Sequence, residues 1–261
     1  MHIPNVIAVV SRGRQVGKSV IAANLAIAFG SKGYKVLLVD ADTPHPSIAE
    51  YLGIRMMRQG FNDILAGRVK YEKVLVKDAY ENVDVIPGIK SKKPLKFTRS
   101  KIMHLMGLAF KVTYYNLIIS DMPSDIIVTS SYGARMITLL VATVNSLSVA
   151  MAKKIRGEYE KMGEEHRLVA NRVRIKNNRL VKEEMEDMYG GNVIAALPED
   201  RIVQRSIEMH IPAYVLDRDS EFSKAIDELS KKLEVEMFKK TAKGESGVLG
   251  AIRKFVVRAD K

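Results

Sequence analysis

Seven short aliphatic runs limit what this chain can fold into. They lie at residues 6–10, 35–40, 83–86, 116–120, 137–143, 167–173 and 192–197. Each is rich in Val, Ile and Leu without strict polar alternation, as strands covered on both faces are. Helical patterns fall between and after them, at 19–32, 99–111, 146–162, 180–189 and 220–238. Gly-Tyr, Pro-Gly, Gly-Gly and Pro-Glu-Asp punctuate the turns. The alternation predicts an α/β fold, a mostly parallel sheet with helices on both faces. At 261 residues and 47% hydrophobic content, the chain fits one large domain with a substantial core. No repeat is visible, and the one break in composition comes late. The expected division is a main domain over residues 1–238, a flexible linker over 239–246 and an amphipathic segment over 247–261.

Composition removes several classes of function. There are no cysteines, which excludes disulfides, thiolate zinc sites and cysteine-held iron–sulfur clusters. The five histidines show no metal-ligand spacing. No apolar run approaches the ~20 residues a membrane span needs. The first residues enter a strand directly, so no signal peptide is expected and the default location is cytoplasmic. The net charge of +12 is clustered. Between Lys90 and Lys101 there are six Lys/Arg and no acid, and from Lys239 to Lys261 seven Lys/Arg face only Glu245 and Asp260. Such clusters point to a polyanionic partner or to a solvated basic surface.

The first run leads into Ser11-Arg-Gly-Arg-Gln-Val-Gly-Lys-Ser19 and then into an apolar helix. Strand, tight turn, Gly-Lys-Ser and helix is the build of a phosphate-binding loop. In such a loop, backbone N–H groups and a helix N-terminus surround phosphate, the lysine reaches the β/γ-phosphates and the hydroxyl binds Mg²⁺. The full pattern wants glycine five residues before Gly17, and that position is Arg12. Two further strands end in or beside aspartate: 35–40 runs into Asp42, and 116–120 into Asp121. A carboxylate beside the phosphate site can orient an attacking water or hold Mg²⁺.

These motifs, in order, resemble those of the MinD/ParA family of P-loop ATPases, whose first motif is a deviant Walker A. The resemblance runs from Val6 to about Leu233. It includes Val16-Gly-Lys-Ser19, Leu38-Val-Asp-Ala-Asp42 with Pro46-Ser47, Ile86-Pro-Gly88, Tyr115-Asn-Leu-Ile-Ile-Ser-Asp121 with Pro123, Leu168-Val-Ala-Asn-Arg-Val173 and Leu197-Pro-Glu-Asp200. The resemblance implies ATP or ADP with Mg²⁺ as cofactors, held by the loop Arg12, Gly13, Arg14, Gln15, Val16, Gly17, Lys18, Ser19 and Val20. Lys18 and Asp42 would be the catalytic pair, Lys18 neutralising the β/γ-phosphates and Asp42 positioning water. Ser19, Asp42 and Asp121 would serve the metal. Asn171 would hydrogen-bond the adenine edge beside Arg172, with Leu197, Pro198 and Glu199 packing by the base.

The departures are equally specific. The family writes Gly-Lys-Gly-Gly-Val-Gly-Lys-Thr where this chain has Arg12 to Ser19. Gly13 stands in place of the signature lysine, which in relatives reaches across an ATP-bound dimer. Either Arg12 or Arg14 substitutes for it, or nucleotide binds without efficient hydrolysis. At the other end, Val248, Leu249, Ile252, Phe255 and Val256 share one helical face, with Arg253, Lys254 and Arg258 around it. That composition suits an anionic membrane interface. The leading expectation is a MinD-like, peripherally membrane-associated ATPase. It would form an ATP-dependent homodimer, bind a protein partner and position a division site or surface machine. The alternatives are a ParA-like segregation ATPase binding DNA through 90–101 and 172–182, and a nucleotide-binding scaffold with little turnover.

Overall fold

The computed structural model describes residues 4–55, 57–90, 114–124, 127–128, 135–174, 178–191 and 193–239. The helix expected at 99–111, the basic cluster beyond Lys90 and the whole of 239–261 except residue 239 lie outside them.

Eight strands form one sheet: β1 (Asn5–Val10), β2 (Val36–Asp40), β3 (Val76–Tyr80), β4 (Val83–Ile86), β5 (Leu117–Asp121), β6 (Met136–Thr143), β7 (His166–Val173) and β8 (Val193–Pro198). Their order is β3-β4-β2-β5-β1-β6-β7-β8. Every pairing is parallel except β3 with β4. The seven expected strands are all present, with ends shifted by at most one residue. β3 was not expected from the sequence. It is a short polar edge strand with a register shift and Asp78 at positive φ, and it offers no aliphatic run.

The helices are α1 (Lys18–Gly30), α2 (Ile48–Tyr51), α3 (Phe61–Leu65), α4 (Ser146–Met162), α5 (Asn178–Tyr189), α6 (Arg201–Met209), α7 (Ala213–Leu216) and α8 (Glu221–Glu234). The last continues through a π-turn at Val235–Lys239. The aliphatic strands build two cores. In β1, Ile7 and Val9 face the layer of α1 and α8, while Val6, Ala8 and Val10 face the layer of α3, α4 and α5. Both faces of the strand are therefore apolar, which is why its sequence does not alternate. Helix α1 is buried nearly all round, because it lies between the sheet and α8. Helix α4 opens on Asn145, whose side chain accepts from the Ser148 N–H, and closes on Gly163 in the left-handed conformation.

Candidate phosphate and metal site

The chain leaves β1 for β2 on one side of the sheet, and β6 flanks β1 on the other. This is a topological switch point, where the carboxyl ends of strands open a crevice. The loop from Ser11 to Gly17 lies there and enters α1 at Lys18. Gly17 caps α1 at φ 93°, and Gln15 takes φ 57° where the family writes glycine. A left-handed conformation costs a non-glycine residue about 1–2 kcal/mol, so the loop keeps its path at some strain. Two hydroxyls donate to the carbonyl of Gly13, Ser11 Oγ at 2.6 Å and Ser124 Oγ at 3.3 Å.

Lys18 is buried, and its Nζ donates to Ser124 Oγ at 3.1 Å and lies 3.6 Å from Asp42 Oδ2. The Ser19 hydroxyl donates to Asp121 Oδ2 at 2.5 Å. Asp42 Oδ1 is 3.8 Å from His45 Nδ1. β2 and β5 are in register at Asp40 and Asp121, so the two carboxylates stand side by side at the strand ends. Asp40 Oδ2 accepts the backbone N–H groups of Ser47 and Ile48, each at 3.0 Å, and so caps α2. A cavity of about 550 Å³ opens over these groups, lined by Arg14 to Val20, Asp42, Ser47, Ser124 and Arg172 among others. That volume suits a nucleotide-sized ligand.

The sequence-expected residues divide. Arg14, Gln15, Val16, Gly17, Lys18, Ser19, Val20, Asp42 and Arg172 line one cavity, with Asp121 directly beneath Ser19. Arg12 instead turns toward α4, 3.4 Å from Glu158, which leaves Arg14 as the loop arginine at the cavity. Asn171 is buried under the loop and donates its amide to the Val16 carbonyl at 2.8 Å. The structure does not bring Leu197, Pro198 and Glu199 to the cavity. Leu197 is fully buried in the core layer of α1 and α8, and Glu199 pairs with the exposed Arg174. Residues 248–258 of the expected membrane face lie outside the described residues. Ser124 and His45 were missed because neither belongs to a motif; both lie in loops brought in by the fold.

The site fits a hard cation. Asp40 Oδ1 and Asp121 Oδ1 are buried with no hydrogen-bond partner, and an orphaned carboxylate oxygen is costly unless a ligand completes it. The nearby donors are hydroxyl and carboxylate oxygens, the set Mg²⁺ takes. Among the described residues no group of three or more His, Asp or Glu could hold a metal alone.

Burial pushes the Asp121 carboxyl up to about 7, with Asp42 adding to the rise and Lys18 and the Ser19 hydroxyl opposing it. Burial and the neighbouring Asp121 also hold Asp40 well above the usual carboxylate range. A folded pKa above the unfolded one means that the native state holds the proton more tightly. That stability is present below about pH 4 and is lost as pH rises through about 7. Metal- and nucleotide-free protein should therefore melt at progressively lower temperature across this window through these groups. Asp121→Asn should flatten the profile, and an identical slope in that variant would remove Asp121 as a cause.

Residues 7–213 match the model for the CobQ/CobB/MinD/ParA nucleotide binding domain. A putative septum site-determining protein MinD from Oltmannsiellopsis viridis is 28% identical over 210 residues, which cover 77% of this chain and 66% of that protein, just under two thirds of its length. The cell division ATPase MinD of Pyrococcus furiosus superposes with a TM-score of 0.76 at 26% identity, over 88% of this chain and 98% of that one. The Pyrococcus horikoshii MinD solved with Mg-ADP shares the fold with a TM-score of 0.74 at 24% identity, over 88% and 96%. The phosphate loop at the switch point, the two strand-end aspartates and these likenesses agree: the chain belongs to the CobQ/CobB/MinD/ParA family of nucleotide-binding domains.

Proposed function

We propose that this protein is a Mg²⁺-dependent ATPase that cycles on a membrane surface and positions a cellular structure, as a MinD-like protein. The observation that carries the nucleotide half is the convergence of Lys18, Ser19, Asp42 and Asp121 at one end of adjacent strands, under a nucleotide-sized cavity. Lys18 would meet the β- and γ-phosphates, and the N-terminus of α1 would supply N–H donors. Asp42, at the cavity wall, would hold the attacking water in line. Ser19 and Asp121 would hold Mg²⁺, which supplies charge neutralisation on the transferring phosphate. Arg14, the loop arginine that lines the cavity, would substitute for the signature lysine that Gly13 replaces.

The membrane half rests on the sequence of residues 247–261 and on the MinD relatives. One short basic amphipathic segment binds anionic lipid weakly, whereas two copies on an ATP-bound dimer bind through effective concentration. Location then follows nucleotide state. The test is co-sedimentation with anionic liposomes, with ATP turnover measured alongside. Full-length protein with Mg-ATP should sediment, and protein ending at residue 246 should lose at least about tenfold of that binding while still binding nucleotide. If full-length protein ignores liposomes in every nucleotide state but retains DNA in a salt-dependent way, the ParA-like reading replaces this one.

A further inference from the structure

Ser47 stands at the N-cap of α2, where a serine hydroxyl ordinarily accepts a backbone N–H from the first turn. Its side chain makes no such bond. Asp40 caps the helix instead, taking the N–H groups of Ser47 and Ile48 on Oδ2. This fixes the backbone of Ser47 and leaves its hydroxyl free for another use. Ser47 lines the cavity, and its Oγ donates to Ser19 Oγ at 2.8 Å, while Ser19 in turn donates to Asp121 Oδ2. With Ser19 donating to Asp121, Ser47 is the donor to Ser19, and among the described residues no group donates to the Ser47 hydroxyl oxygen.

We propose that Ser47 is a metal-site residue, supplying a second protein hydroxyl to the shell of the Mg²⁺ that Ser19 and Asp121 hold. The inference rests on the Mg-nucleotide reading above. Ligands about 2.0–2.1 Å from an octahedral Mg²⁺ lie about 2.9 Å apart when adjacent, close to the separation already present between the two serine oxygens. Two buried carboxylate oxygens without partners, Asp121 Oδ1 and Asp40 Oδ1, belong to the same strand-end cluster. Ser47 therefore joins the cation to α2. The head of that helix responds to whether metal accompanies the nucleotide, and not to the nucleotide alone.

The test is a Mg²⁺ titration of full-length protein in saturating ADP, followed by melting temperature and by calorimetry. Ser47→Ala should raise the Mg²⁺ concentration at half-effect about tenfold, the scale seen when a supporting ligand is lost. ADP affinity in EDTA should stay at the wild-type value. Ser47→Thr, which keeps the hydroxyl, should restore the wild-type Mg²⁺ dependence. A wild-type Mg²⁺ curve in Ser47→Ala overturns the inference while leaving the nucleotide reading intact. So does an equal loss of ADP affinity with and without metal, which marks a purely structural role. A wild-type protein indifferent to ADP and Mg²⁺ overturns the nucleotide reading and this inference together.

Discussion

Lys18→Ala is expected to remove most or all of the thermal stabilisation that Mg-ADP or Mg-ATP gives the wild-type protein. A ligand at a hundred times its dissociation constant stabilises by about 2.7 kcal/mol, which for a domain of this size raises the melting temperature by about 5–10 °C. The lysine ammonium is the positive charge placed between two buried carboxylates. It lies 3.6 Å from Asp42 Oδ2 and lowers the proton affinity of Asp121. Without it, a phosphate entering the cavity meets the Asp42 carboxylate with no lysine ammonium beside it. The cost combines a lost charge-assisted hydrogen bond with exposed like-charge repulsion, about 2–5 kcal/mol. At the upper end of that range nothing of the ligand-induced shift remains, and at the lower end about 2–3 °C is left. The unliganded variant should also have Asp121 further raised, because one of the two influences opposing burial is gone. A wild-type shift in Lys18→Ala would mean that nucleotide binds elsewhere.

The fold was legible because its signal is local. A strand is aliphatic where both of its faces are covered, so β1, β2, β4, β5, β6, β7 and β8 all announce themselves as runs. The misses follow from the same rule. β3 is half exposed and polar, so it carries no run. α6 lies behind the Pro-Glu-Asp turn, and its start depends on Asp200, whose side chain accepts the Ile202 N–H. Asp200, followed after Arg201 by Ile202 and Val203, is a helix start signal, but as the end of Pro-Glu-Asp it reads equally as turn punctuation. In the site, Gly17, Lys18, Ser19, Asp42 and Asp121 were readable because each has a fixed place relative to a strand end. Ser124 was not, since its contact with Lys18 joins residues 106 apart. Nor was the placement of Leu197, whose strand position turns its side chain into the core. Motif residues report which ligand a loop suits; only packing reports which side chain faces it.

Gly17→Ala is expected to be the most damaging single-methyl change in the loop. Gly17 sits at φ 93°, outside the regions open to alanine, and a Cβ built there would lie 2.3 Å from Asn171 Nδ2. Neither neighbour can yield cheaply. The asparagine is buried at the end of β7, and its amide nitrogen is committed to the Val16 carbonyl at 2.8 Å. Moving it leaves a buried carbonyl unpaired, at about 1–3 kcal/mol, and the backbone strain adds about 1–2 kcal/mol. Together these predict a loss of about 2–5 kcal/mol, or roughly 5–15 °C in melting temperature. The carbonyl of Gly17 also begins α1, accepting the Ile21 N–H at 3.0 Å, so the same change displaces the helix N-terminus that faces phosphate. Nucleotide affinity should fall with stability. A double-mutant cycle with Asn171→Ala separates the two causes, because in that background the steric contact and the hydrogen bond to Val16 are already gone and Gly17→Ala adds only the φ strain. Gly17→Ala should therefore cost less melting temperature in the Asn171→Ala background than in the wild type. An equal cost in both backgrounds would place the whole effect in the backbone, and no cost in the Asn171→Ala background would place it in the contact with Asn171.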